Sequence, residues 1–510
     1  MRRITVAILT AVLAVWAQNW VARYNGPAND DDIVAGMVCD EQGNVYVAGT
    51  SHGGTMGSDI VIIKYSPAGE SLWAVREDGG VHGDDEAKAV AYRSGRVVVT
   101  GSTAERDSQC TDIITLVYNT DGSQRLLATF GTTNSDDAGL AVAIDNSRNV
   151  YVAGFSTGAT TGRDMRLLKY NADGSLAWIS GYITAEDDYP VQVASPVYPD
   201  VFIAGNFGNP RDYVTLRVNG FNGDTVWTRR YDGPAGGRDE ARGLVVDPDR
   251  NVYVTGVSHG LNTDADFTTI KYSSNGGLVW VQRYNGTSDG VDRANSITLD
   301  SSGYIYVTGC SQSPDGDFDF ATVKYDTSGV ERWVRHYDDP AGGDDEARMV
   351  TAGQAGFIYV TGYSAGTATG SDYLTIGYSE DGSECGCYRY DGPAGGVDEA
   401  AAVLCAGSRV YVTGTSEGAG TGSDFATLGY EPAGVIEPLL TVGAISRSRL
   451  TVIRNGFYRA DAEGALMDAT GRQVMRVIPG INLLGEVHAG LYFVCAGTGN
   501  RKLTSVVVIK

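Results

Sequence analysis

Asp239-Glu240-Ala241, Gly243-Leu244-Val245-Val246-Asp247, Asn251-Val252-Tyr253-Val254-Thr255-Gly256, Asp266-Phe267-Thr268-Thr269-Ile270-Lys271-Tyr272 and Leu278-Val279-Trp280-Val281-Gln282-Arg283-Tyr284 follow one another in a single unit of sequence. The segments are short, rich in β-branched and aromatic residues, and bounded by Gly, Asp, Asn or Ser, so the unit reads as four strands. It recurs at a fixed period: Asp239, Asp292, Asp345 and Asp398 are each 53 residues apart (292 − 239 = 53). The Val-Tyr-Val-x-Gly segment returns at 45–49, 97–101, 150–154, 201–205, 252–256, 305–309, 358–362 and 410–414, eight copies in all. A period of about 50 residues with four β segments is the signature of a propeller blade. The chain is therefore expected to be all-β, an eight-bladed β-propeller of four-stranded blades over residues 18–434.

The Trp-bearing segment recurs around Trp20, Trp73, Leu126, Trp178, Trp227, Trp280, Trp333 and Gly386, but its first copy precedes every other strand. The register is thus permuted: the last unit lacks this strand, and 19–24 is expected to supply it. Closure from both ends of the chain hides every sheet edge. Tyr253 and Thr255 alternate with Val252 and Val254, so both faces of a blade are expected to pack on neighbours.

A formal net charge of −23, from 62 acidic and 39 basic residues, disfavours nucleic acid and anionic membrane surfaces as partners. Arg2 and Arg3 followed by the apolar run 4–15 and Val15-Trp16-Ala17 predict a signal peptide at 1–17, cleaved after Ala17. The alternative, a membrane anchor, is disfavoured because a span needs about twenty apolar residues. No later segment is long and apolar enough to span. Seven Cys leave at least one unpaired. Cys39 and Cys405 share one apolar repeat position, which reads as buried packing, with a ring-closing disulfide as the alternative. Cys385-Gly386-Cys387 lacks the second ligand pair of a zinc site.

Two Asp rows recur in every unit. One precedes the first strand: Asp32, Asp85, Asp136, Asp187, Asp239, Asp292, Asp345 and Asp398. The other precedes the third: Asp59, Asp112, Asp164, Asp212, Asp266, Asp319, Asp372 and Asp424. Both belong at one end of the blades. A carboxylate repeated in every blade is expected to accept backbone N–H bonds and pin its loop. The alternative is cation binding, with Ca²⁺ as the possible ion and Asp30, Asp31, Asp32, Asp344, Asp345 and Glu346 as candidate ligands. No EF-hand loop is present. His52, His82, His259, His336 and His488 are scattered, and no nucleophile elbow, His-Glu-x-x-His or phosphate loop accompanies them, so no catalytic or cofactor-binding residue is assigned. The fourth unit departs most from the others, through Pro190, Pro196, Pro199 and Pro210.

The Asp239-Glu240-Ala241 opening and the Val252-Tyr253-Val254-Thr255-Gly256 strand resemble the bacterial β-propeller repeat known as SBBP, over about 18–434. That family implies extracellular repeats and no defined activity. Turns such as Asp173-Gly174-Ser175-Leu176-Ala177-Trp178 look like the docking turns of eight-bladed quinoprotein dehydrogenases, but the vicinal Cys pair of that family is absent. A tight turn feeding a packed strand accounts for this spacing.

After Gly434 the period stops, and 435–444 reads as a linker. Asp468-Ala469-Thr470-Gly471-Arg472-Gln473-Val474, Gly480-Ile481-Asn482, Gly490-Leu491-Tyr492-Phe493-Val494 and a basic-then-apolar last strand make 445–510 similar to the type A sorting domain of type IX secretion. The resemblance implies a small immunoglobulin-like β-sandwich recognised by the secretion machinery through Arg472, Gly490, Tyr492 and the last strand. An adhesive immunoglobulin-like module is the alternative. The sequence as a whole predicts a secreted or cell-surface, non-enzymatic binding or adhesion scaffold with a protein or glycan ligand. An extracellular hydrolase or quinoprotein-like dehydrogenase is the runner-up.

Overall fold

The structure, a computed structural model, describes residues 16–432 except 55–56, 80–81, 105–109, 133, 159, 197–198, 209 and 367–368. It also describes the backbone of seven strands between 449 and 509. The chain divides into two compact units, Met1–Val435 and Ile436–Lys510.

In the first unit, 32 strands form eight separate antiparallel sheets of four. Blade 1 runs over 32–77, blade 2 over 86–130, blade 3 over 137–182, blade 4 over 188–231, blade 5 over 239–284, blade 6 over 292–337 and blade 7 over 345–390. Blade 8 joins Asp398–Ala406, Arg409–Glu417 and Ser423–Pro432 to Trp16–Tyr24 from the other end of the chain. First strands of successive blades lie side by side, and that of blade 8 lies beside that of blade 1, closing the ring. The expected eight-bladed, permuted propeller is what the chain forms. The closing strand is longer than 19–24 and pairs Trp16 with Pro432, Ala17 with Glu431 and Trp20 with Gly429. The rest of the expected signal segment lies outside the described residues.

Each hydrophobic cluster belongs to the seam between two blades. Phe202, Tyr213 and Trp227 of blade 4 pack with Ala241, Leu244, Val254, Ile270 and Tyr272 of blade 5. At the closure, Val45, Val61 and Tyr65 of blade 1 meet Tyr411 and Phe425 of blade 8, with Trp20 and Tyr24 against them. Both faces of the second and third strands are thereby buried, which is why their sequences read as near-continuous apolar runs.

Two recurring devices set this packing. The first is a bulge in every first strand, as between Ala241 and Gly243 in blade 5. It brings the Glu240 carbonyl over Gly256, where an added Cβ would lie 1.9 Å from that oxygen. The final Gly of Val-Tyr-Val-x-Gly is required by this close approach. The second device is Trp docking. Trp73, Trp178, Trp227, Trp280 and Trp333 each donate Nε1–H, at 3.1–3.3 Å, to a carbonyl in the turn before the last strand of the next blade. The left-handed Gly of that turn lies on the indole: Gly329, at φ +84°, sits over Trp280. The turn is thus more than a link into a packed strand, because it receives the neighbouring blade. Blade 8 has no such turn, since its last strand comes from the N-terminal end. Blade 7, whose Trp would dock there, carries Gly386 instead.

The ring-closing disulfide is not found. Cys39 and Cys405 are free and half-buried rather than fully buried, and burial pushes the Cys405 thiol up to about 12. In the second unit, Arg449–Ile453, Lys502–Ile509, Gly490–Ala496, Gly464–Met467 and Gln473–Val477 form a five-stranded sheet in that spatial order. Phe457–Ala460 pairs separately with Gly480–Leu483. No described helix is long and apolar enough to cross a membrane.

Candidate functional site

The Asp rows occupy one end of the blades, at the loops entering the first and third strands. In the first row one carboxylate oxygen accepts a backbone N–H from the preceding loop at 2.5–2.8 Å: Gly26 to Asp32, Gly79 to Asp85, Gly233 to Asp239, Gly286 to Asp292, Asp339 to Asp345 and Gly392 to Asp398. In blades 3 and 4 this role falls to Asp137 and Asp188, fully buried, and not to Asp136 and Asp187, which are exposed. Both are Asp doublets, and the strand begins at the second member. The residue before the buried Asp works between blades: Asp31, Asp84, Asp187 and Asp344 accept the N–H of Ser423, Ser58, Arg163 and Phe318, each entering a third strand of the preceding blade.

The second row is held by arginine. In blade 5, Arg283 donates to Asp266 at 2.7 Å and to both the hydroxyl and carbonyl oxygens of Ser258 at 2.6 Å. Arg76 with Asp59 and Ser51, Arg389 with Asp372 and Ser364, and Arg23 with Asp424 and Ser416 repeat the arrangement. Arg230 pairs with Asp212, and Arg166 stands 3.6 Å from Asp164. A third Asp row went unread in the sequence: Asp40, Asp145, Asp247 and Asp300 each accept the hydroxyl of the buried second-strand Tyr, respectively Tyr46, Tyr151, Tyr253 and Tyr306.

Blade 6 breaks the pattern. His336 stands where blades 1, 4, 5, 7 and 8 carry Arg, blade 2 Thr129 and blade 3 Gly181, and it contacts the Tyr284 hydroxyl at 2.8 Å. Burial, reinforced by Asp338, Asp317 and Asp345, raises the Asp319 carboxyl to about 6, and burial raises Asp292 likewise to about 6. Burial holds the His336 imidazole below its ordinary value.

The calcium candidates do not share one coordination sphere. Asp345 lies with Asp319 and Asp338 within 4.8 Å, as Asp85 does with Asp59 and Asp78, Asp239 with Asp212 and Asp232, and Asp398 with Asp372 and Asp391. In the last three groups an Arg pairs with one carboxylate. Asp30 is exposed near His52, Asp31 and Asp344 are engaged across blade seams, and Asp32 is buried on Gly26. Glu346 points elsewhere, because successive strand residues face opposite ways. It accepts from Asn295 and Tyr363 toward the ring centre.

That centre holds the strongest departure from eightfold repetition. An open cavity of about 480 Å³ is lined by Tyr189, Val191, Asn206, Arg211, Arg238, Glu240, Ala241, Arg242, Asn295, Glu346 and Arg348. Arg242, Asn295 and Arg348 are the residues skipped at the first-strand bulges of blades 5, 6 and 7. The bulge carried over the motif Gly therefore also presents the side chains at the channel. Where this arc has Arg, Asn and Arg, the same position is Ala35 in blade 1, Leu140 in blade 3, Val191 in blade 4 and Ala401 in blade 8, and in blade 2 it is Lys88, which pairs with Glu86.

The charges are organised in two tiers. Glu240 accepts from Arg211 at 2.5 Å and from Arg238 at 2.8 Å, with Arg242 at 3.8 Å. Burial alone would raise this carboxyl, but the bonds from Arg211 and Arg238 outweigh it and hold it below its ordinary value. Arg242 also donates to Asn295 at 2.6 Å, and Asn295 to Glu346 at 3.0 Å. Arg348 lies 3.5 Å from Glu346 and 3.4 Å from Glu399, with its guanidinium over the Tyr363 ring. The side chains of Arg238 and Arg348 are 56% and 42% exposed, against 16% and 19% for Glu240 and Glu346. The carboxylates are thus less exposed than the guanidiniums that surround them.

The SBBP Beta-propeller repeat family matches residues 19–54, 226–262 and 279–315. No curated protein matches the chain. Among solved structures, a europium-containing methanol dehydrogenase superposes with a TM-score of 0.52 at 10% identity, covering 82% of this chain and 93% of that one. Sqt1 from Saccharomyces cerevisiae gives 0.50 at 11%, covering 81% and 99%, and BamB from Moraxella catarrhalis gives 0.48 at 14%, covering 82% and 100%. At these identities the likeness speaks to the fold alone, and enzymes and non-enzymes both carry it. Three segments of the chain thus match the SBBP β-propeller repeat, and they lie within a ring of eight four-stranded blades.

Proposed function

We propose that the protein is an exported, non-enzymatic binding scaffold whose ligand site is the channel mouth between blades 4 and 7. The observation that carries this reading is the bulge row, where Arg242, Asn295 and Arg348 replace the small or apolar residues of most other blades inside one open cavity. The Asp rows, engaged by backbone N–H groups and arginines, act as loop pins in this reading, and no cofactor is required.

Delivery is assigned to the ends of the chain: a signal peptide at 1–17, a linker at 435–444 and a type A sorting module at 445–510. The strand-rich backbone of the last unit supports a small β-sandwich there. The protein then works secreted or at the outer surface, with the type IX machinery as its partner in transit and a protein or glycan as its ligand.

Glycan and peptide arrays probed with the full chain and with the double variant Arg242→Gln/Arg348→Gln test the reading. The expected result is a ligand set lost in the variant. A ligand set unaffected by the variant, or turnover of an array compound, overturns it.

A further inference from the structure

The arginine arc also points to the chemistry of the ligand. Arg211, Arg238, Arg242 and Arg348 face only two carboxylates among the cavity-lining residues, Glu240 and Glu346, so the lining carries a formal surplus of two positive charges (4 − 2 = 2). Glu399, 41% exposed, reaches Arg348 from blade 8 but is not part of the lining. Counting Glu399, the cluster keeps a formal excess of one positive charge, a local exception in a chain of net charge −23.

The buried tier explains how the arc is held ready. Glu240 gathers three guanidiniums, and Asn295 links Arg242 to Glu346, so the arginines are oriented before any ligand arrives. Each guanidinium has five N–H donors in a planar fork, more than these partners occupy, and such forks suit the paired oxygens of carboxylate and phosphate groups. The aromatic rings at the site are already covered: Arg211 lies over Tyr189 at 5.1 Å and Arg348 over Tyr363 at 5.1 Å. On each ring one face is thus taken by a guanidinium. The cavity, at about 480 Å³, is roomy enough for a small multicarboxylate.

Building on the scaffold reading, we infer that the channel mouth binds a small oxyanion carrying two or more negative charges, of carboxylate or phosphate type. The anion bridges Arg242 and Arg348, with Arg211 and Arg238 closing the side toward blade 4.

Isothermal titration of the full chain with citrate and with pyrophosphate, at matched ionic strength and with acetate as the monovalent control, tests this. Saturable heat is expected with at least one of the two multivalent anions, with none from acetate. Affinity should fall about tenfold or more in Arg242→Gln/Arg348→Gln. If that variant melts early, the exposed Arg238→Gln takes its place, with an expected loss of roughly threefold. Absence of heat with both anions, equal binding of acetate, or unchanged affinity in the folded variants overturns the inference. A neutral array ligand lost in the double variant would sink the anion assignment while leaving the scaffold reading standing.

Discussion

Trp20 donates its indole N–H to the carbonyl of Pro67 at 3.2 Å, across the joint where blade 8 meets blade 1. The contact repeats the docking seen at the other Trp-bearing blades, although these two residues come from the closing strand and the first complete blade. Gly69, at φ +85°, presses on the same ring, and a Cβ there would lie 2.4 Å from it. Closure of the ring thus uses the same device as the five internal seams that carry a Trp.

Trp20→Ala should therefore cost about 3–5 kcal/mol, as for loss of a large packed aromatic. Gly386→Trp should gain nothing, because blade 8 offers no turn to receive an indole. Urea unfolding of the full chain reads both. A loss below about 1 kcal/mol for Trp20→Ala would remove the closure argument.

Gly256→Ala places a Cβ 1.9 Å from the Glu240 carbonyl and 2.7 Å from the Tyr213 hydroxyl. Backbone must move, and a loss of about 3 kcal/mol is expected. Gly236, at φ +59° with nothing within 4 Å of an added Cβ, should lose only about 1 kcal/mol on the same change, from left-handed strain. Equal costs at the two sites would mean that the bulge does not dictate the motif glycine.

Asp266 and Asp319 occupy one repeat position, but of the two only Asp266 is paired with an Arg. Asp266→Asn removes the partner of Arg283 and should destabilise at pH 7.5. Asp319 has no Arg: its folded pKa, about 6, exceeds the ordinary 3.8. The folded protein holds that proton where the unfolded chain has released it, so this group favours folding below about pH 4, and the contribution is lost as pH rises through 6. Asp319→Asn mimics the protonated acid. It should add about 1 kcal/mol at pH 7.5, after allowance for solvent screening, and almost nothing at pH 4. Melting curves at the two pH values decide this; a gain independent of pH would point to packing instead.

Removing 445–510 should leave a cooperatively melting propeller, since no blade strand comes from that segment. Fractionation of a native host with two membranes should find the truncated protein in the periplasm. Its continued appearance outside the cell would favour an adhesive module over a sorting one.

The blade count was legible because the second strand is buried on both faces in every copy, which keeps Val-Tyr-Val-x-Gly recognisable. The permuted closure was legible because Trp20 stood without the rest of its unit. The Asp136–Asp137 and Asp187–Asp188 doublets were misassigned by one residue, since the sequence does not say which member begins the strand, and burial falls on the second. The channel arc was missed for a deeper reason. A repeat reveals what each copy shares, whereas Arg242, Asn295 and Arg348 occupy the bulge position where copies differ. The signal was a change of residue type at one fixed offset after the first Asp.

The most direct test of the channel mouth as the ligand site is anomalous diffraction from crystals of the full chain soaked in selenate, a divalent oxyanion with its own scattering signature. A peak within hydrogen-bonding distance of Arg242 and Arg348, absent from crystals of the Arg242→Gln/Arg348→Gln variant, is the predicted result. Selenate found only at surface arginines outside the channel, or not at all, would contradict it.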